Sequence, residues 1–274
     1  MVAEDLRGER LRRWSQTTST RIATPDGGAA LIERVGIATL FPASPEIPNL
    51  YHAFMGDPDA ATDSGHDSPS GQVYSWRWAL GGANAAFYSS IVRKRPTWVS
   101  WGLLPSVLRL LAESRTPDEL FDLGVISPNA YRIAQVLEEA EEPLSTGDLR
   151  REAGFPMGKD QRAAYLKAVE ELETRVLLAK VFSAEDLDMR HVLVGARYEE
   201  YSRMAEAMTR EAALDRLLAT YLPAAVYAAP RLLARHLGMD GREIVEGLER
   251  LVEAGVARRE DTVGGPQEIY VWNG

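Results

Sequence analysis

Cysteine is absent from the 274 residues. That excludes disulfides, thiol nucleophiles and any zinc or iron–sulfur site built on thiolates, and it fits a reducing, cytoplasmic setting. Long apolar runs are missing too: none approaches the roughly 20 residues needed to span a bilayer. The opening "MVAEDLRGERLRRW" lacks the apolar core of a signal peptide and carries acids beside its arginines. A soluble protein with no membrane partner is expected. Excess positive charge is also lacking. The net charge is −9, whereas a dedicated nucleic-acid binder is usually basic, at least locally. No HExxH, GxSxG or GxGxxG pattern occurs, and nothing in the sequence points to a metal or a cofactor. What is present is an ordinary hydrophobic fraction, 45%, in a chain long enough for about two or three domains.

Two segments of the C-terminal half read as versions of one unit. In the first, "NAYRIAQVLEEA" places Ile133, Val136, Leu137 and Ala140 on one helical face. "PLSTGDLRREAG" follows, with Ser145 and Asp148 at capping-box spacing and Gly154 at a helix stop. "KDQRAAYLKAVEELETR" then aligns Tyr165, Ala168, Val169 and Leu172, and two β-rich runs, "VLLAKVFS" and "HVLVGARY", close the unit. The second version runs through "REAALDRLLATYL", "APRLLARHLG" and "DGREIVEGLERLVEAG" to "GVARRED" and "EIYVW", which flank a short wing, "TVGGPQ". Helix, helix, helix, hairpin is the order of a winged helix. The expected fold is therefore mainly α with small β-hairpins, an α+β class of tandem winged-helix domains.

The N-terminal portion is less regular. "AALIERVG" reads as a helix ending at Gly36, "ANAAFYSSIVRK" as another helix, "PTWVSWG" as a strand and "LLPSVLRLL" as a helix. A long polar loop, "GDPDAATDSGHDSPSG", lies between the first two. A third, degenerate unit is plausible. The resulting division is 1–125, 126–206 and 207–274.

These patterns carry a resemblance. Tandem winged helices preceded by "ALIERVG" and containing "AFYSSIVRKRPTWVSWGLLPSVL" resemble the AlkZ/YcaQ-type winged-helix DNA glycosylases, and more closely the AlkZ-related branch. The similarity spans roughly residues 27 to 270, with "RKRPTWVS" followed by "LLP", and "AVEELETRVLLAKV", as its best motifs. The resemblance implies a protein that embraces duplex DNA in a C-shaped array and releases alkylated or crosslinked bases. It also implies a catalytic Gln-x-Gln, or Gln-x-Asp, just after the helix "ALIERVG". This chain has Thr39, Leu40 and Phe41 at that place. Hydrolysis of an N-glycosidic bond needs a group that activates water and stabilises positive charge on the sugar. Phe41 can do neither, and Thr39 only weakly, so the implied activity is in doubt while the implied fold is not.

Glu46 is the nearest carboxylate, either a catalytic replacement or a solvated loop residue. The acidic loop around Asp57, Asp59, Asp63, His66 and Asp67, with His52 upstream, could in principle hold a cation, but Ala61 breaks the EF-hand pattern and a solvated loop is expected. "GFPMGKD" lacks phosphate-loop spacing and reads as a turn between helices. His191 and His236 fall within a strand and a helix of the C-terminal units, where structural or surface roles are expected.

For nucleic acid, the candidates are aromatic and cationic. Read as a strand, Trp76-Arg77-Trp78 sends both rings to one face, and Tyr88 and Trp98 flank the cations Arg93, Lys94 and Arg95. Burial alone would explain some rings, and a helix end would favour some of the cations. The third helix of the 126–206 unit offers Lys159, Gln161 and Arg162, with Lys167 one turn on, for phosphates and base edges. The matching face of the last unit carries Arg242, Glu243, Glu246 and Glu249, which repel phosphate and suit a protein partner. Three readings stay open: a protein that binds double-stranded DNA without classical chemistry, an active glycosylase remodelled around Glu46, and a protein scaffold.

Overall fold

The computed structural model describes residues 3–156, 158–183, 188–261 and 268–274. An N-terminal helix, α1 (Glu4–Arg13), precedes one element order that occurs three times: helix, strand, helix, helix, strand, strand. The first set is α2 (Pro25–Val35), β1 (Ile37–Thr39), α3 (Leu50–Met55), α4 (Pro69–Gly82), β2 (Phe87–Ser89) and β3 (Thr97–Val99). Helices α5 (Leu104–Leu111) and α6 (Pro117–Asp122) lead to the second: α7 (Pro128–Glu139), β4 (Leu144–Ser145), α8 (Thr146–Glu152), α9 (Lys159–Glu173), β5 (Leu178–Phe182) and β6 (Met189–Leu193). After α10 (Val194–Arg197) and α11 (Glu199–Glu206) comes the third: α12 (Arg210–Ala225), β7 (Tyr227–Ala228), α13 (Pro230–Leu237), α14 (Gly241–Glu253), β8 (Ala257–Asp261) and β9 (Glu268–Trp272). Each set closes a three-stranded antiparallel sheet whose last strand lies in the middle. The mainly helical α+β class expected from the sequence is the one observed.

Local chemistry sets the element ends. Thr24 caps α2 by accepting the Gly27 N–H, Pro25 fills its first turn, and Gly36 stops it at φ 78°. Its inward face, Leu31, Ile32 and Val35, is buried, each such side chain being worth about 1.5–3 kcal/mol. Ser145 caps α8 by accepting the Asp148 N–H, as its spacing predicts. The predicted wing "TVGGPQ" lies outside the described residues.

Two N-terminal expectations are corrected. Trp76-Arg77-Trp78 is not a strand: it lies within α4, where Val73, Trp76 and Leu80 repeat at helical spacing and are buried. The last three residues of the polar loop belong to α4 as well. Ser68 caps the helix, and Asp63 folds back to accept the Ser70 N–H at 3.2 Å while its own N–H donates to Ser70 Oγ at 3.0 Å. "ANAAFYSSIVRK" is not a helix but β2 followed by a single 3-10 turn, Val92–Lys94, with Arg93 and Lys94 at φ 49° and 59°. Pairing with β3 overrides its helical appearance.

The first and third sets share one continuous core, in which α12 lies against α5 and α2. The second has a core of its own around Leu120, Ile133, Leu149, Tyr165 and Leu172. No helix among the described residues is long and apolar enough to cross a membrane.

Candidate functional site

A cavity of about 620 Å³ opens where α1, the loop after β1, the turn at 92–95 and β7 meet. Four arginines line it: Arg7, Arg10, Arg93 and Arg95. Asp59 is the single carboxylate on its wall among the described residues. In a chain of net charge −9, this is a local concentration of positive charge.

The four guanidinium groups differ in what they already hold. Arg10 is 3% exposed and fully committed. Its Nε donates to the Ala225 carbonyl at 2.7 Å, Nη1 to the Pro45 carbonyl and to Glu46 Oε1 at 3.1 and 3.2 Å, and Nη2 to the Tyr227 carbonyl. Burial opposes its charge most strongly, but Glu46, Tyr221 and Tyr227 together more than offset that and hold Arg10 protonated. Arg93 is exposed and anchored once, by Nη1 to the Ala43 carbonyl at 2.9 Å. Arg7 and Arg95 are exposed and make no side-chain hydrogen bond or ion pair among the described residues.

Glu46, expected as a solvated or catalytic carboxylate, is neither exposed nor on the cavity wall. It is 2% exposed, and besides Arg10 it accepts the Tyr221 hydroxyl at 2.7 Å and the Ala229 N–H at 3.1 Å. Burial and the Glu46 charge push the Tyr221 hydroxyl well above its ordinary pKa, so it stays a donor. A general base must reach the proton it removes, and Glu46 reaches none outside this cluster. The carboxylate instead ties α1 and the loop after β1 to the third set.

The positions expected for the family's catalytic triplet turn inward. Thr39 is fully buried and its hydroxyl donates to the Phe41 carbonyl at 2.8 Å. Leu40 is core, and the Phe41 ring packs 5.8 Å from that of Tyr51. None of the three offers a free polar group to the cavity.

The predicted nucleic-acid residues fall into two groups. Trp76, Tyr88 and Trp98 are buried, with Tyr88 and Trp98 4.5 Å apart and both against Phe182 of β5. Arg77, 9% exposed, lies over the rings of Tyr74 and Trp78 at 3.4 and 4.9 Å. Burial pushes the Tyr88 hydroxyl up to about 12. Tyr88, Trp98 and Trp78 join the first set to the second through Phe182, whereas Trp76 packs within the first set against Phe54. The other group is exposed. Lys94 pairs with Glu170 of α9 at 2.5 Å, which brings the basic turn beside the helix that carries Lys159, Gln161 and Arg162. Those three are exposed, with Arg162 about 12 Å and Lys159 about 16 Å along the helix from Glu170 at 1.5 Å per residue. The helix-end account of the cations fails, because a three-residue 3-10 turn carries no macrodipole to complement.

Sequence reasoning missed Arg7 and Arg10, since nothing in "LRGERLRRW" distinguishes the one arginine that is buried. It also missed the contact of Ser44 Oγ with His236 Nδ1 at 2.6 Å across the cavity's edge. Burial, then the charges of Arg93 and Arg235, hold His236 below its ordinary pKa. The acidic loop shows no group of three or more metal-ligating side chains among the described residues.

Comparison with known proteins agrees with the architecture. Among solved structures, the Streptomyces sahachiroi DNA glycosylase AlkZ matches with a TM-score of 0.55 at 12% identity, covering 100% of this chain and 71% of that one. At that identity the likeness speaks for the fold. No curated protein matches the chain. The family described as AlkZ related matches residues 22–237, most of the sequence, and the chain belongs to it.

Proposed function

We propose that this protein binds double-stranded DNA, as the family and the glycosylase AlkZ suggest, and that it does so without the family's classical Gln-x-Gln chemistry. In this reading the three repeated sets are winged-helix units dividing near residues 125 and 206. The observation that carries it is the meeting of Arg7, Arg93 and Arg95 in one cavity beside the exposed cations of α9. Free guanidinium groups on an acidic protein suit phosphates, which supply the sequence-independent part of DNA affinity. Lys159, Gln161 and Arg162 extend that surface toward a groove. The absence of a polar group at Thr39 to Phe41 that faces the cavity, together with the commitment of Glu46, supports binding over base release.

The test is duplex binding measured against salt. Wild-type protein should bind at low salt, with log K falling as log salt rises. Replacing Arg7 and Arg95 together by Ala should reduce that slope by up to about 2, at about 0.9 per phosphate contact. No binding at low salt overturns the proposal. Release of a base from alkylated or crosslinked duplex by the wild-type protein overturns its second half.

A further inference from the structure

A second cavity, of about 440 Å³, lies where the first set meets the second, within the range of roughly 300–1,000 Å³ that small-molecule sites occupy. Its surroundings differ in kind from the basic cavity. Trp101, Tyr198 and Tyr201, all partly exposed, form one wall, with ring centroids 5.8 and 5.3 Å from the indole. Phe182 and the buried Tyr88 line the cavity as well. The Trp101 N–H donates to the Asn84 carbonyl at 2.8 Å, which fixes the plane of the indole. Space for Phe182 exists because residue 81 is glycine: a Cβ there would lie 2.0 Å from the Phe182 ring.

The polar groups at the rim are available. Arg197 is exposed and makes no ion pair, and the Asn84 carboxamide makes no hydrogen bond, among the described residues. The hydroxyls of Tyr198 and Tyr201 are likewise without hydrogen-bond partners among the described residues. Lys180 also reaches the cavity, but Glu173 holds it at 2.6 Å. Oriented π-faces, an unpaired guanidinium and a free amide together match one ligand chemistry: a flat heteroaromatic ring carrying an anionic group.

We infer that this cavity is a binding site for one unpaired nucleotide, its base against Trp101 and Tyr201, its phosphate toward Arg197 and its base edge toward Asn84. The nucleotide can be free or part of a strand, since both present the same ring and phosphate. The rings expected from the sequence to meet a base, Trp76 and Trp98, are core, whereas Trp101, Tyr198 and Tyr201 keep part of their surface exposed beside a cavity. The inference does not rest on the basic cavity.

The probe is 2-aminopurine, whose fluorescence is quenched on stacking. It is offered as the free deoxyriboside 5′-monophosphate, as the nucleoside without phosphate, and as an unpaired residue in a duplex. Saturable quenching by the monophosphate marks a small-molecule site, and quenching confined to the duplex-borne residue marks a strand-borne one. Trp101→Ala should weaken binding tenfold or more. The exposed Arg197→Glu, which leaves the rings in place, should weaken the phosphorylated probes and leave the nucleoside unchanged. In the free-monophosphate arm, an Arg7→Glu, Arg95→Glu variant should keep the quenching, since neither residue lines this cavity. Absence of quenching in every arm, or equal quenching by wild type and Arg197→Glu with the phosphorylated probes, overturns the inference. Duplex binding without quenching sinks this site alone, and quenching without duplex binding sinks the DNA reading alone.

Discussion

Arg10 and Arg95 line the same cavity, yet one is structural and the other is free. On the α1 side, Arg10 is sealed among Glu46, Tyr227 and three carbonyls, so its charge is already used. On the side of the 92–95 turn, Arg95 ends in solvent with no partner among the described residues. Counting cations in a sequence therefore overstates what a surface can offer a ligand. The useful charge is what remains after the protein's own carboxylates and carbonyls are served.

The contrast breaks most visibly at the buried wall. Glu46→Ala leaves Arg10 buried without its anion and should destabilise the protein by about 3–5 kcal/mol, read by denaturant unfolding. Replacing Arg10 and Glu46 together by Met removes the desolvation of both charges but also the partners of three carbonyls, the Tyr221 hydroxyl and the Ala229 N–H, so it should recover only part of that loss. If Glu46→Ala costs no more than a surface substitution, the two walls do not differ as described.

A smaller effect separates buried from exposed titration in the second set. His191 is 2% exposed. Burial, then Lys180, lowers its pKa to about 4. The unfolded chain takes up its proton near 6.5 and the folded one only near 4, so in this window the unfolded state binds more protons. Stability is thus full above about pH 6.5 and falls as the pH drops toward 4, by about 3 kcal/mol at 1.36 kcal/mol per unit. His52 and His236, also lowered chiefly by burial, act in the same direction. His191→Gln should flatten the profile between pH 6.5 and 5, measured by urea unfolding across that range.

The smallest effect belongs to the exposed turn. The Lys94–Glu170 pair is 61% and 54% exposed at its two side chains, so Lys94→Ala should change stability by less than about 1 kcal/mol. Under the DNA reading the same substitution lowers duplex affinity at low salt. A large stability loss with unchanged affinity would assign the turn to the fold instead of to a ligand.

Much of the C-terminal architecture was legible because its signals are local. Gly238 stops a helix at φ 70°, Ser145 caps one, and the buried positions of α9 and α14 keep helical spacing. Misreadings came where a segment is too short to show a period. Trp76-Arg77-Trp78 alternates over three residues, and only the longer register with Val73 and Leu80 reveals the helix. Strand β2 is three residues long and owes its form to β3. The family was legible from motifs, and the inward turn of Thr39 to Phe41 was foreshadowed by their chemistry. The fate of Glu46 was not, because Tyr221 and Ala229 lie 175 and 183 residues away in sequence.

The placement of Arg10 also bears on where this molecule can be cut. The family match begins at residue 22, so trimming by homology would discard α1. The remaining polypeptide would keep Glu46 walled in with Tyr221 and lose the counterion that neutralises it. The stretch that is recognisable as a relative and the stretch that is electrically complete are of different lengths.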